Sequence, residues 1–178
     1  MVNREYDDDY LGCARTYVGF TVRHWTASSE DVTATLGVEP TDLTAARRRE
    51  EQPGIALAAR PNSWHFSTAT LSESRDFGRH LDILLETIGD KSDELSALRS
   101  RGWAMDISVY WLSRHGHGGP ALWPDQSASL GQLGLEIWFD IYFDDSEDLD
   151  RPLGPGELTQ NFRRAARHWR KFGLRRGR

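Results

Sequence analysis

Cysteine occurs once in these 178 residues, at Cys13, which excludes an intrachain disulfide and any zinc site built from several thiolates. Lysine is nearly absent: Lys91 and Lys171 stand against 20 arginines, a bias typical of GC-rich bacterial coding. No apolar run approaches the ~20 residues that a membrane helix needs. The opening MVNREYDDDYLG has neither the basic start nor the apolar stretch of a signal peptide. A cytoplasmic, soluble chain is the expectation. Catalytic signatures are missing too. There is no Gly-x-Ser-x-Gly elbow and no known phosphate-loop spacing. Cys13 follows an acidic terminus, which raises rather than lowers a thiol pKa.

What the chain does have is aromatic surface. Seven Trp, seven Phe and five Tyr offset a modest apolar fraction of 38%, because each aromatic buries ~150–250 Å². The length suits one domain with a sizeable core. Charge is divided unevenly along it. Residues 157–178 hold eight Arg/Lys against Glu157 alone, a balance of +7, while the remaining 14 bases and 26 acids leave −12. An acidic body with a basic tail can attract itself, a sister chain or a polyanion.

Period-two alternation marks four strands. In the first, about Arg15–His24, Thr16, Val18, Phe20 and Val22 share one face. The second, about Ser63–Leu71, sets Trp64 and Phe66 against His65 and Ser67. The third sets Trp103, Met105, Ile107, Val109 and Trp111 against Ala104, Asp106, Ser108 and Tyr110. The fourth is the cleanest, with Leu135, Ile137, Phe139, Ile141 and Phe143 expected inward and Glu136, Trp138, Asp140 and Tyr142 outward. Helical spacing separates them. Val32 and Leu36 mark a short helix after Ser28, ended by Gly37; Phe77, Leu81, Leu84, Leu85 and Ile88 mark a longer one capped by Ser74; Leu95 and Leu98 mark a third, about Ser92–Ser100; Pro124 opens a fourth with Leu130 and Leu133 inward. The order predicts an α+β fold: a two-layer sandwich with a mainly antiparallel four-stranded sheet and helices packed on one face.

Three regions fall outside this pattern. Residues 1–12 form an acidic N-terminal segment expected to be mobile or loosely docked. Within the single α+β domain, 13–150, the Arg-rich piece at about Thr44–Pro61 reads as a long excursion. Residues 151–178 read as a Pro/Gly linker and a basic amphipathic helix with Leu158, Phe162, Ala165, Trp169 and Phe172 in its stripe.

Chemistry has three candidate homes. His115 and His117, in the turn Ser113-Arg114-His115-Gly116-His117-Gly118-Gly119-Pro120, could act as acid and base at neutral pH or ligate a metal. A metal would need a third ligand from elsewhere, so no metal and no cofactor is expected, and the glycines equally suit a turn with positive φ. The second home is the sheet face opposite the apolar one, with Tyr17, Arg23, His65, Asp106, Tyr110, Trp138, Asp140 and Tyr142. Aromatics mixed with both charge signs exceed what solvation asks for and suit a recognition surface. The third is the basic tail, where Arg163, Arg164, Arg167, Arg170 and Lys171 could grip nucleic acid. Against that, the acidic body repels phosphates, and the apolar stripe suits docking on the body itself.

Four stretches carry a resemblance. Leu36-Gly37-Val38-Glu39-Pro40-Thr41, Trp64, Ser113 with the Gly116–Pro120 turn, and the closing Asp140-Ile141-Tyr142-Phe143 resemble a bacterial family catalogued as domain of unknown function 4279. The resemblance spans about Arg15–Phe143. It implies a domain boundary and brings no activity, cofactor or catalytic residue with it. The resulting expectation is a non-catalytic module binding a protein partner or a second copy through the aromatic polar face. A small hydrolase centred on His115 and His117 is the first alternative, polyanion binding by the tail the second.

Overall fold

The long first strand, β1 (Cys13–His24), has two neighbours because both its edges are met by chain that returns to it. The structure, a computed structural model, describes residues 4–41, 61–114 and 118–143. All of them lie in the first of the chain's two units, Met1–Asp145 and Ser146–Arg178. The excursion, His115, His117 and the basic tail lie outside the described residues.

Along the described chain, β1 is followed by α1 (Glu30–Leu36), β2 (Asn62–Ser67), a 3-10 turn (Thr68–Thr70), α2 (Phe77–Ile88), α3 (Ser92–Ser100), β3 (Ala104–Ser113), α4 (Pro124–Leu133) and β4 (Ile137–Phe143). The four strands form one sheet in the order β2-β1-β3-β4. β1 runs antiparallel to β2 and β3, whereas β3 and β4 are parallel. The class is α+β and the sheet mostly antiparallel, with the helices packed on it. The parallel pair has a physical reason. A short turn can reverse the chain only into an antiparallel neighbour, and here the return to β3 passes through α4, the crossover a parallel neighbour requires.

Cross-strand register fixes the faces. Val22 lies opposite Trp64 and Met105, Phe20 opposite Phe66 and Ile107, Val18 opposite Val109, and Ile107 opposite Ile137. These side chains meet Val32, Leu36, Phe77, Leu81, Leu84, Ile88, Leu95, Leu98, Leu130 and Leu133 from the helices in one core. A register shift between Cys13 and Arg15 turns Cys13 into that core, fully buried. Burial there pushes its thiol up to about 12.

Local chemistry sets the element ends, with two departures from expectation. α2 is capped by Asp76 rather than Ser74: its Oδ1 accepts the Gly78 N–H at 2.7 Å, while Ser74 Oγ accepts the Asp76 N–H one step earlier. β2 stops at Ser67 rather than Leu71, because Thr68 turns inward. Its hydroxyl accepts the Val18 N–H at 3.0 Å and meets His80 Nδ1 at 2.8 Å. Gly37 and Gly134 end α1 and α4 with φ of 65° and 61°, conformations that favour glycine.

Residues 4–12, expected to be mobile or loosely docked, meet α2 through side-chain hydrogen bonds. Arg4 Nε and Tyr6 OH both donate to Asp82 Oδ2, at 2.8 and 2.7 Å. Arg79 grips the Asp8 carboxylate through two nitrogens, and Asp76 Oδ2 accepts the Asp7 N–H. Hydrogen bonds from Arg79 hold the Asp8 carboxyl below its ordinary range. Of the consecutive acids, Asp8 answers Arg79 of α2, while the segment's own Arg4 answers Asp82 of that helix and Asp125 of α4. Opposite charges far apart in sequence carry no local signal of meeting.

Candidate functional site

Every residue expected on the second sheet face is found there. β1 contributes Tyr17 and Arg23, β2 His65, β3 Asp106 and Tyr110, and β4 Trp138, Asp140 and Tyr142. The register sets Thr21 opposite His65 and Asp106, Tyr17 opposite Tyr110, and Tyr110 opposite Asp140. Alternation alone produces this grouping, since residues i and i+2 of each strand share a side.

Two groups form on the face. The first is a row of rings. Tyr17 and Tyr110 stack at 4.8 Å between centroids with planes 10° apart, and Tyr110 meets Tyr142 at 5.2 Å. Offset stacking of this kind contributes ~0.5–1.5 kcal/mol per pair beyond burial. Tyr142 OH then donates to Asp140 Oδ2 at 2.5 Å.

The second group centres on Asp106, which is fully buried. Arg23 Nη1 donates to its Oδ1, forming an ion pair, and Trp138 Nε1 donates to its Oδ2 at 2.9 Å. A buried carboxylate is tolerated only when paired and hydrogen-bonded. Here both oxygens are engaged, one by charge and one by a neutral donor, so three strands are tied at one point.

His65 adds a contact that strand alternation does not reveal. Its Nδ1 lies 3.0 Å from Thr21 Oγ1, and its ring lies across β1 at Gly19. A β-carbon on Gly19 would fall 2.7 Å from His65 Cε1 and 3.1 Å from Ser108 Oγ. Glycine is therefore required there for close approach rather than for its backbone angle. Thr21 and Gly19 belong to the site, yet nothing in their residue types marks them.

Burial divides the face. Tyr17, Thr21, His65, Asp106 and Tyr110 are buried, whereas Trp138, Asp140 and Tyr142 are only half-buried. The inner residues act as a scaffold, and β4 presents the accessible part. The apolar side of β4 departs further from expectation. Leu135 is buried, but Phe139, Ile141 and Phe143 are 38%, 44% and 63% exposed. Their direction is as the alternation requires, and Phe139 does meet Phe77 edge-on at 5.7 Å. The helical layer ends before the strand does, so facing inward does not bury them. Helix reach is a tertiary property that strand periodicity does not encode.

His115, His117 and the tail residues Arg163, Arg164, Arg167, Arg170 and Lys171 lie outside the described residues. Among the described residues no group of three or more His, Cys, Asp or Glu could hold a metal ion. No helix among them is long and apolar enough to cross a membrane.

No curated protein and no solved structure matches the chain. A family model described as "Domain of unknown function (DUF4279)" matches residues 14–144, from β1 through the end of β4. The match covers the whole sheet with its polar face and both ring and carboxylate groups, and on that extent the chain belongs to the DUF4279 family.

Proposed function

We propose that the domain is a non-catalytic cytoplasmic protein-binding module that meets a protein partner, or a second copy, through the β4 margin of its aromatic polar face. The observation that carries this reading is the division of burial across the face. Tyr17 and Tyr110 are buried and stacked on each other and Asp106 is buried between Arg23 and Trp138, while Trp138, Asp140 and Tyr142 remain half-buried at the sheet's edge. Trp138 is held by Asp106, and Tyr142 by Asp140 and the Tyr110 ring. Aromatic side chains fixed in advance lose little freedom on association, which is how a small surface reaches useful affinity. The buried free thiol of Cys13 suits a reducing compartment.

The test is a Trp138→Ala/Tyr142→Ala variant compared with the natural chain by light scattering and by pull-down. The expected result is loss of association with little change in the circular dichroism spectrum. A chain that is strictly monomeric and retains no protein overturns the reading.

A further inference from the structure

We infer that the partner of β4 is a second copy of this chain, joined edge to edge about a two-fold axis at Ile141. The inference rests on the reading of β4 as the contact strand and specifies what it contacts.

Backbone geometry comes first. The Glu136 carbonyl accepts the Ile107 N–H at 2.8 Å, and Ile107 lies opposite Ile137 in the parallel register. The N–H and C=O of one strand residue point to the same side, and successive residues alternate. Glu136, Trp138, Asp140 and Tyr142 thus direct their backbone groups towards β3. Phe139, Ile141 and Phe143 direct theirs to the outer edge, where no further strand follows among the described residues. The same three residues carry the exposed apolar side chains. Protected edges use lysine, proline or a bulge. β4 has neither lysine nor proline, its only charge is Asp140, and the register shift between Cys13 and Arg15 lies on β1 instead.

Sequence symmetry then selects the occupant. Phe139-Asp140-Ile141-Tyr142-Phe143 is nearly a palindrome about Ile141. Antiparallel self-pairing centred there sets Ile141 against Ile141, each Phe139 against the other copy's Phe143, and each Asp140 against a Tyr142. The three outward-facing pairs are those that exchange two N–H···O bonds each. The carboxylate meets a phenol, a donor it already accepts from within the chain at 2.5 Å. Centring on Asp140 would oppose two like charges, which is destabilising. Charge and symmetry therefore agree on one register. Phe139, Ile141 and Phe143 are 38%, 44% and 63% exposed beside this seam, and the partner strand would cover part of that apolar surface.

The experiment uses the full chain. Sedimentation equilibrium should show a reversible dimer, and Ile141→Lys, placing two ammonium groups on the axis, should weaken it at least 10-fold. Because Ile141 is substantially exposed, the variant should keep its melting temperature. Ile141→Cys should form an intermolecular disulfide under mild oxidation, since hydrogen-bonded antiparallel partners have Cα atoms ~5.5 Å apart, within disulfide reach. Leu71→Cys, somewhat more exposed but off the strand, should not. A dimer indifferent to Ile141→Lys overturns the seam. A monomer that still loses a purified protein partner on Trp138→Ala/Tyr142→Ala overturns the second copy and leaves the binding reading standing. A monomer that binds nothing overturns both.

Discussion

Trp138 on β4 donates its indole N–H to Asp106 on β3 at 2.9 Å, and this bond joins the half-buried margin of the polar face to its most deeply buried charge. Asp106 also holds Arg23 from β1, so one carboxylate spans three strands. Removing that carboxylate leaves a guanidinium that is mostly buried and has lost its countercharge. Asp106→Ala should destabilise the domain by about 3–5 kcal/mol, the usual cost of breaking a buried pair from one side. Trp138→Phe, which removes only the N–H, should cost about 0.5–1.5 kcal/mol before packing changes. Urea denaturation of both variants checks the ordering, and equal losses would contradict the central place given to Asp106.

Gly19 and His65 make a second measurable pair. A methyl group at residue 19 would sit 2.7 Å from the imidazole, so the ring must move. Gly19→Ala should cost about 1–3 kcal/mol, the range for overpacking a tight site. In a His65→Ser background the same change should cost clearly less, because the obstructing ring is gone. A double-mutant cycle measures the coupling.

His80 makes stability depend on pH. Its Nε2–H donates to the Ser74 carbonyl at 2.9 Å, which leaves Nδ1 to accept from Thr68 Oγ1 at 2.8 Å. Burial disfavours the imidazolium and holds the His80 pKa below its ordinary value of 6.5. Between the folded and unfolded values the unfolded chain binds more protons, so stability rises with pH in that window. It should therefore fall as pH drops below about 6.5. His80→Gln, which can keep one hydrogen bond and does not titrate, should flatten that slope while lowering stability at pH 7. Melting temperatures from pH 5 to 8 give the comparison.

Cys13 should be inert in the folded protein. It is fully buried and its thiol is pushed up to about 12, so almost no thiolate exists at neutral pH. A thiol reagent such as Ellman's should label it only at the rate of global opening, and about as fast as a free thiol in denaturant. Rapid labelling of the native chain would contradict the burial.

Alternation, helix spacing and glycine stops carried most of the architecture: four strands, the helices between them, the two faces, and the eight polar-face residues. The reason is local. Side-chain direction follows from backbone period, so Trp138 and Tyr142 had to share a side with Asp140 whatever the rest of the chain did. The motifs of the last turn and strand likewise identified the family without any contact being known. Tertiary structure decided what depends on distance across the fold. It paired β4 with β3 in parallel, brought Arg4 and Tyr6 to Asp82, laid His65 over Gly19, and buried Asp106 between Arg23 and Trp138. It also left Phe139, Ile141 and Phe143 exposed on the apolar face, because a residue's direction is set by its own strand but its cover is set by how far the helices reach.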